Sequence, residues 1–343
     1  MSKRKIIFLI SSIFLVFIVA VIFSYSSVKK EIEIENPSIS LEDEKEIPSE
    51  PHPDSIPAMA EKEFLGDSLK LENVLSENDL YTRYYITYNS EGLEISGIIN
   101  IPKGEGPFPI LILNHGYIDP EFYTNGQGLK REQDYFARNR YVVLHSDYRG
   151  YAFSDPDPDG NIRPRTDYVE DVLNAISAVK KSDIKSLDKE NIGMLGHSMG
   201  GGIAENIMVT KPDIAKAYVL LAPINADYLI NFKKWVEPDP DFEGIAEKFY
   251  ERYGTYEENP ELWESFSAIN YIGNIKSPVM LHQGDQDKDV PVEWSRNFAK
   301  ALENSNKDIT YHEYPGEGHT FYNAQSLVMQ RSLDFFDKNL KND

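Results

Sequence analysis

No cysteine occurs anywhere in the 343 residues. That absence excludes disulfides, a thiolate nucleophile, zinc–thiolate sites and a lipidated N-terminal cysteine. It leaves the redox compartment open, because a chain without thiols is at home on either side of a membrane. Positive charge is also short: 35 Lys and Arg stand against 56 Asp and Glu, a net charge of −21. So acidic a chain repels nucleic acid and has no electrostatic hold on anionic lipid, so neither is an expected partner. No internal repeat is visible. With 41% hydrophobic and 12% aromatic residues, the composition is that of a globular chain able to bury a full core.

Long apolar runs are missing as well, with one exception. Residues 6–23, IIFLISSIFLVFIVAVIF, are interrupted only by Ser11 and Ser12. A helix of that length just crosses the hydrocarbon core and is longer than a usual signal-peptide core. Lys3, Arg4 and Lys5 precede it and acidic residues soon follow it, which puts the N-terminus in the cytoplasm and the remainder outside. Residues 1–28 are therefore expected to be a signal anchor; cleavage near SYSS (24–27), giving a secreted chain, is the alternative. Residues 29–62 are acidic, carry Pro37, Pro48, Pro51, Pro53 and Pro57, and show no apolar period, so they are expected to be an extended linker.

Beyond residue 62 the pattern changes. RYYITYNS (83–90) and LEISGIINIP (93–102) alternate like an antiparallel hairpin. Continuous apolar runs follow at 109–116, 141–150, 192–198, 217–224 and 278–284, with a more mixed strand at 309–315. Runs without alternation are typical of parallel strands covered on both faces. Helical patterns lie between them at 129–139, 165–182, 199–210 and 292–304, with a last one at 324–340. The fold class is thus α/β: a mostly parallel sheet with helices on both faces, occupying 63–343. Residues 225–275 are too long for a plain crossover and are expected to form a small helical cap. Their aromatics, Trp235, Phe242, Phe249, Tyr250, Tyr253, Tyr256, Trp263 and Phe266, are read either as the cap's packing or as the wall of an apolar pocket.

The sharpest chemical signal is NIGMLGHSMGGGIA (191–204), which sets Gly196-x-Ser198-x-Gly200 between an apolar strand and a helix start. Such a context lifts a serine hydroxyl above the sheet edge on a tight turn and puts helix N–H groups beside it. Serine needs a base to take its proton, ordinarily a histidine held by a carboxylate, in the order serine, acid, histidine. Of the histidines after Ser198, His282 falls inside the strand that should deliver the acid and His312 alternates within a strand. His319, in the glycine-flanked loop YPGEGHTF, is the candidate base. The acid should follow the strand ending at Gly284, where HQGDQDKDVPV offers Asp285, Asp287 and Asp289. Asp285 sits at the strand end and Asp289 at the entry to a helix, so local reasoning favours Asp287 at the loop tip. A metal cluster is the weaker reading, because the stretch lacks the glycine and distal glutamate of a calcium loop. DPDPDGN (155–161) departs from that pattern too, with Arg163 and Thr166 at expected ligand positions.

Six segments carry a family resemblance: GLEISGIINIPKGEGPFPILILNHG (92–116), DYRGYAFSD (147–155), DVLNAISAV (171–179), GHSMGG (196–201), Gly284-x-x-Asp287-x-x-Val290-Pro291, and YPGEGHTF (314–321). From about Arg83 to its end the chain resembles an α/β-hydrolase, specifically the catalytic domain of the prolyl-oligopeptidase family and its esterase-like relatives. The resemblance places the acid three residues after the glycine and three before the valine, which is Asp287. It implies that Ser198 attacks an acyl carbon, His319 relays the proton and Asp287 orients the imidazole. The oxyanion donors it implies are the backbone N–H groups of Met199 and of Tyr117, the latter from the NHGYID loop. The implied reaction is two-step acyl transfer to water, on a peptide or small-molecule ester, without a metal or organic cofactor. Two departures keep an esterase without peptidase activity open: there is no stretch for the β-propeller of prolyl oligopeptidases, and Met199 replaces their aromatic residue after the nucleophile. A non-catalytic binding protein on a hydrolase fold is the remote alternative, since all three triad candidates are present.

Overall fold

Successive residues of the run FPILILN enter different cores: Ile110 and Ile112 pack on one face of the sheet, Leu111 and Leu113 on the other. A strand whose alternate side chains are all buried has no polar face to show in its sequence. This strand, β4 (Phe108–Asn114), lies in a computed structural model that describes residues 50–159, 162–238 and 243–341. They belong to one compact unit, Glu50–Asp343. The expected anchor at 1–28 and the expected linker through residue 49 lie outside the described residues. Among the described residues, no helix is long and apolar enough to cross a membrane.

The parallel part of the sheet comprises β4, β5 (Val142–Ser146), β6 (Leu187–His197), β7 (Ala217–Leu221), β8 (Val279–Gly284) and β9 (Ile309–Tyr314), in the order β5-β4-β6-β7-β8-β9. Three antiparallel strands, β1 (Asp67–Glu77), β2 (Tyr81–Ser90) and β3 (Leu93–Pro102), continue it beyond β5 to make nine strands. Preceding the sheet is a short helix, α1 (Ile56–Glu61). One face of the sheet is covered by α3 (Thr166–Lys181), α4 (Met199–Thr210) and α8 (Val292–Asn304), through residues such as Val172, Ile203 and Phe298. The other is covered by α2 (Lys130–Arg138) and α9 (Gln325–Leu340), where Phe136 meets Phe336 edge-on at 5.6 Å. The hairpin, the parallel strands and these five helices stand where the sequence patterns place them.

Two features differ from expectation. β1 gave no strand signal because it is a largely exposed edge, DSLKLENVLSE, whose charged residues guard it against pairing with other chains. The expected linker also ends earlier than residue 62. Asp54 is buried and accepts hydrogen bonds from Arg163 Nε at 2.6 Å and from the Tyr253 hydroxyl at 2.7 Å. The Ser55 hydroxyl caps α1 by accepting the Ala58 N–H, and Ile56 and Met59 join the main core. Residues 54–61 are therefore part of the domain; Pro57, counted as a linker proline, stands in the first turn of a helix, where proline is tolerated.

Residues 225–275 form the insert between β7 and β8: α5 (Tyr228–Asn231) running into a π-helical turn, α6 (Glu243–Tyr253), α7 (Pro260–Ser265) and a 3-10 segment (Ala268–Asn274). Phe249, Tyr253, Trp263 and Phe266 are buried together with Phe232 in a small core of the insert itself. Trp235 packs edge-on against Trp294 at 5.4 Å. For Phe249, Tyr253, Trp263 and Trp235 packing is the role observed, whereas Phe266 both packs in this core and lines a small cavity beside Met199. Phe242 lies outside the described residues.

Candidate active site

β6 delivers Ser198 into a backbone conformation that only a forced turn produces, φ 55° and ψ −119°. A serine in that region is strained by an amount of order 1–3 kcal/mol, so its surroundings must hold it there. The Ser198 N–H donates to the Leu221 carbonyl at 3.0 Å, and its own carbonyl accepts from Ile224 at 3.2 Å. The turn is tight enough that a Cβ at Gly196 would collide with the Gly200 carbonyl, and one at Gly200 with the Asn114 carbonyl. Both glycines of the motif are thus required by close backbone approach. Met199 opens α4, so its N–H is among the helix-end amides that have no intrahelical acceptor.

The stretch that offered three aspartates resolves cleanly. Asp285 shapes the turn, its carboxylate accepting the Gly316 N–H at 2.7 Å. Asp289 is exposed, and its N–H donates to Asp287 at 2.9 Å. Asp287 has a buried side chain and four donors. Oδ1 accepts the N–H groups of Asp289 and Val290, each at 2.9 Å; Oδ2 accepts His319 Nδ1 at 2.8 Å and Gln283 Nε2 at 3.0 Å. Burial pushes this carboxyl up, but the His319 and backbone hydrogen bonds outweigh it and hold it below the ordinary aspartate value. Since an ionised carboxylate only accepts, the shared proton sits on His319 Nδ1 and leaves the Nε2 lone pair free to act as a base. Ligand atoms of Asp287, Asp289 and His319 lie within 4.8 Å of one another. The four acceptor positions of Asp287 are already filled, so this group does not suit a metal ion.

Ser198 and His319 line one cavity of about 380 Å³, together with Gly116 and Tyr117 of the loop after β4. No hydrogen bond joins Ser198 to His319 among the described residues; such contacts are often loose without substrate. The cavity's apolar wall includes Ile118, Leu129, Leu221, Phe321, Val328 and Met329. Asp147 holds the loop between β4 and α2 through hydrogen bonds from Tyr123, Asn125 and the Gly126 N–H, at 2.8, 2.6 and 2.8 Å. His282 and His312 stand apart: His282 is buried against Tyr314 and Ser332, with the His312 ring tilted beside it at 5.4 Å.

Sequence reasoning missed His197. Its Nε2–H donates to the His319 carbonyl at 3.1 Å, and the two rings are 4.6 Å apart. Burial, with a contribution from His319, lowers its pKa to about 4, so it stays neutral. It ties the loop of His319 to the serine turn. The only signal was its place beside Ser198, which says nothing about a partner 122 residues away.

A serine on a strand-to-helix elbow, followed by an Asp–His pair after the last two strands, β8 and β9, of such a sheet, defines an α/β-hydrolase. More narrowly, the chain belongs to the prolyl oligopeptidase family (Peptidase_S9), which matches residues 127–343. It is 24% identical to dipeptidyl aminopeptidase BIII of Pseudoxanthomonas mexicana over 227 residues, 65% of this chain and 32% of that protein. It is 22% identical to the uncharacterized peptidase YtmA of Bacillus subtilis over 257 residues, 75% of this chain and 93% of that protein. An acylaminoacyl peptidase in complex with Z-Gly-Gly-Phe-chloromethyl ketone shares the fold at TM-score 0.62 and 21% identity, over 77% of this chain and 43% of that one. Acetyl xylan esterase from Paenibacillus sp. R4 does so at TM-score 0.62 and 20% identity, over 81% of this chain and 91% of that one. The chain spans 43% of the length of Bacillus subtilis peptidase YuxL and 32% of that of BIII, less than half of either.

One further titratable group lies on α4, the helix that follows Ser198. Glu205 of α4 is buried with neither carboxylate oxygen hydrogen-bonded among the described residues. Burial pushes its carboxyl well above the ordinary value. A carboxyl that holds its proton more tightly when folded lowers stability as pH rises past its unfolded value. Glu205→Gln should match the parent in urea melts near pH ~4 and be the more stable protein at neutral pH. A stability difference independent of pH would show that Glu205 is not neutral in the folded state.

Proposed function

We propose that the chain is a serine hydrolase that cleaves peptide or carboxyl-ester bonds through an acyl-enzyme. The observation that carries the reading is the Asp287–His319 hydrogen bond at 2.8 Å, on the wall of the cavity that Ser198 also lines. Ser198 Oγ attacks the acyl carbon while His319 Nε2 takes its proton; Asp287 stabilises the imidazolium, which then protonates the leaving group. Water repeats the sequence in reverse to release the acid. The N–H groups of Met199 and Tyr117 receive the oxyanion, each worth about 3 kcal/mol in the transition state. Every step is served by the chain's own residues.

Whether the scissile bond is an amide or an ester is a matter of substrate, and both have support. The family and the named peptidases favour peptides. The ester reading rests on the length match to an acetyl xylan esterase and on Met199 after the nucleophile. Comparing kcat/KM for short-chain aryl esters and matched aminoacyl anilides, in parent and Ser198→Ala, tests both. Turnover should fall by roughly four to six orders of magnitude in the variant. Turnover that survives Ser198→Ala contradicts the mechanism; ester turnover without anilide cleavage leaves the esterase.

We also propose that residues 6–23 anchor the protein in a membrane, with the catalytic domain on the extracytoplasmic side. The apolar run and the basic residues before it support this. The protein should sediment with membranes and keep its N-terminal residues; a soluble product beginning near residue 28 would refute the anchor.

A further inference from the structure

Three arginines near the cap are each paired with a carboxylate. Arg149 bonds Asp171 at 2.8 Å, Arg163 bonds Glu170 at 2.7 Å, and Arg252 bonds Asp159 at 2.9 Å. Arg165 differs: among the described residues no carboxylate makes an ion pair with it. Its guanidinium carbon stands 5.7 Å from the Tyr168 ring centre, and its backbone takes the left-handed conformation, φ 64°, that non-glycine residues seldom adopt. A partly buried guanidinium offers five N–H donors, and leaving it without an anion is costly.

Arg165 lines a second cavity, of about 20 Å³, with Met199, Glu205, Ile224, Asn225 and Asn231. Met199 directly follows the nucleophile, and the Ile224 N–H donates to the Ser198 carbonyl at 3.2 Å. This cavity thus adjoins the serine turn from the cap side, whereas the larger one is walled by His319. Its volume is that of one water-sized group, room for a single carboxylate oxygen and not for a ring. Neither Asp167 nor Glu205 makes an ion pair or hydrogen bond with Arg165 among the described residues. The Asp167 carboxylate accepts the Tyr168 N–H at 3.0 Å, and burial and Asp157 push its pKa up to about 7. Glu205, buried and unpartnered, is held neutral.

We propose that Arg165 is a specificity residue that receives a carboxylate carried by the substrate, bound beside the scissile carbonyl on the cap side of Ser198. The proposal rests on the serine-hydrolase reading above. A charge-assisted contact of this kind is worth about tenfold to a hundredfold in kcat/KM.

The test uses the full-length chain and pairs of aryl esters in which one terminal methyl becomes a carboxylate: butyrate against hemisuccinate, valerate against hemiglutarate, each corrected for the enzyme-free rate. In the parent, the carboxylate member of at least one pair should be favoured about tenfold or more. Arg165→Met should bring that ratio to one or below, and Arg165→Lys should keep part of it. A ratio near one in the parent, or a ratio that Arg165→Met leaves unchanged, overturns the proposal. Should Arg165→Met fail to fold, free glutarate competing with the neutral ester in the parent supports the site, and no competition contradicts it. Absence of Ser198-dependent turnover of any ester would instead strike the hydrolase reading itself.

Discussion

The backbone at Ser198 is the constraint on which the rest of the molecule turns. A serine held at φ 55° stays there only because the strand before it and the helix after it are both fixed in a packed core. That geometry requires glycine at 196 and 200, since α4 passes so close to β4 and to its own entry turn. It also brings three otherwise separate parts to one point: the first N–H of α4, the Gly116–Tyr117 loop and the His319 loop. The sheet order has the same consequence, because β4, β6, β7 and β8 lie side by side and end on the same edge.

Electrostatics then assign roles to groups of similar kind. Four aspartates near the functional surface do four different things. Asp287 is saturated by four donors and kept ionised against His319; Asp285 pins a turn; Asp289 is exposed; Asp147 organises the loop that carries Tyr117. The histidines divide likewise. His197 is held neutral by burial and ties the His319 loop to the serine turn. The charges around Arg163 serve the frame, joining Asp54 of the entry segment and Glu170 of α3. Arg165, two residues on, makes no ion pair among the described residues and lines a cavity instead.

Much of this was legible in the sequence because it follows short-range rules. Uninterrupted apolar runs mark strands buried on both faces, and Gly196-x-Ser198-x-Gly200 marks a turn whose sterics are local. Asp287 was harder: three aspartates within five residues look alike in sequence, and what separates them is which one meets donors from Gln283, Val290 and His319. What stayed hidden depends on contacts distant along the chain. β1 is a polar edge strand without alternation, residues 54–61 are held by Arg163 and Tyr253 on Asp54 and by Ile56 and Met59 in the main core, and His197 finds His319 across the sheet edge. The cap aromatics were ambiguous for the same reason, since a side chain that packs a small core and one that lines a pocket share one composition.

The central claim is that Ser198 is a nucleophile activated by His319. Incubating the full-length protein with a fluorophosphonate and mapping the adduct by mass spectrometry tests it most directly. The account predicts one adduct per chain, on Ser198, formed much more slowly when His319 is replaced by alanine. No adduct on well-folded protein, or labelling indifferent to His319, would contradict it.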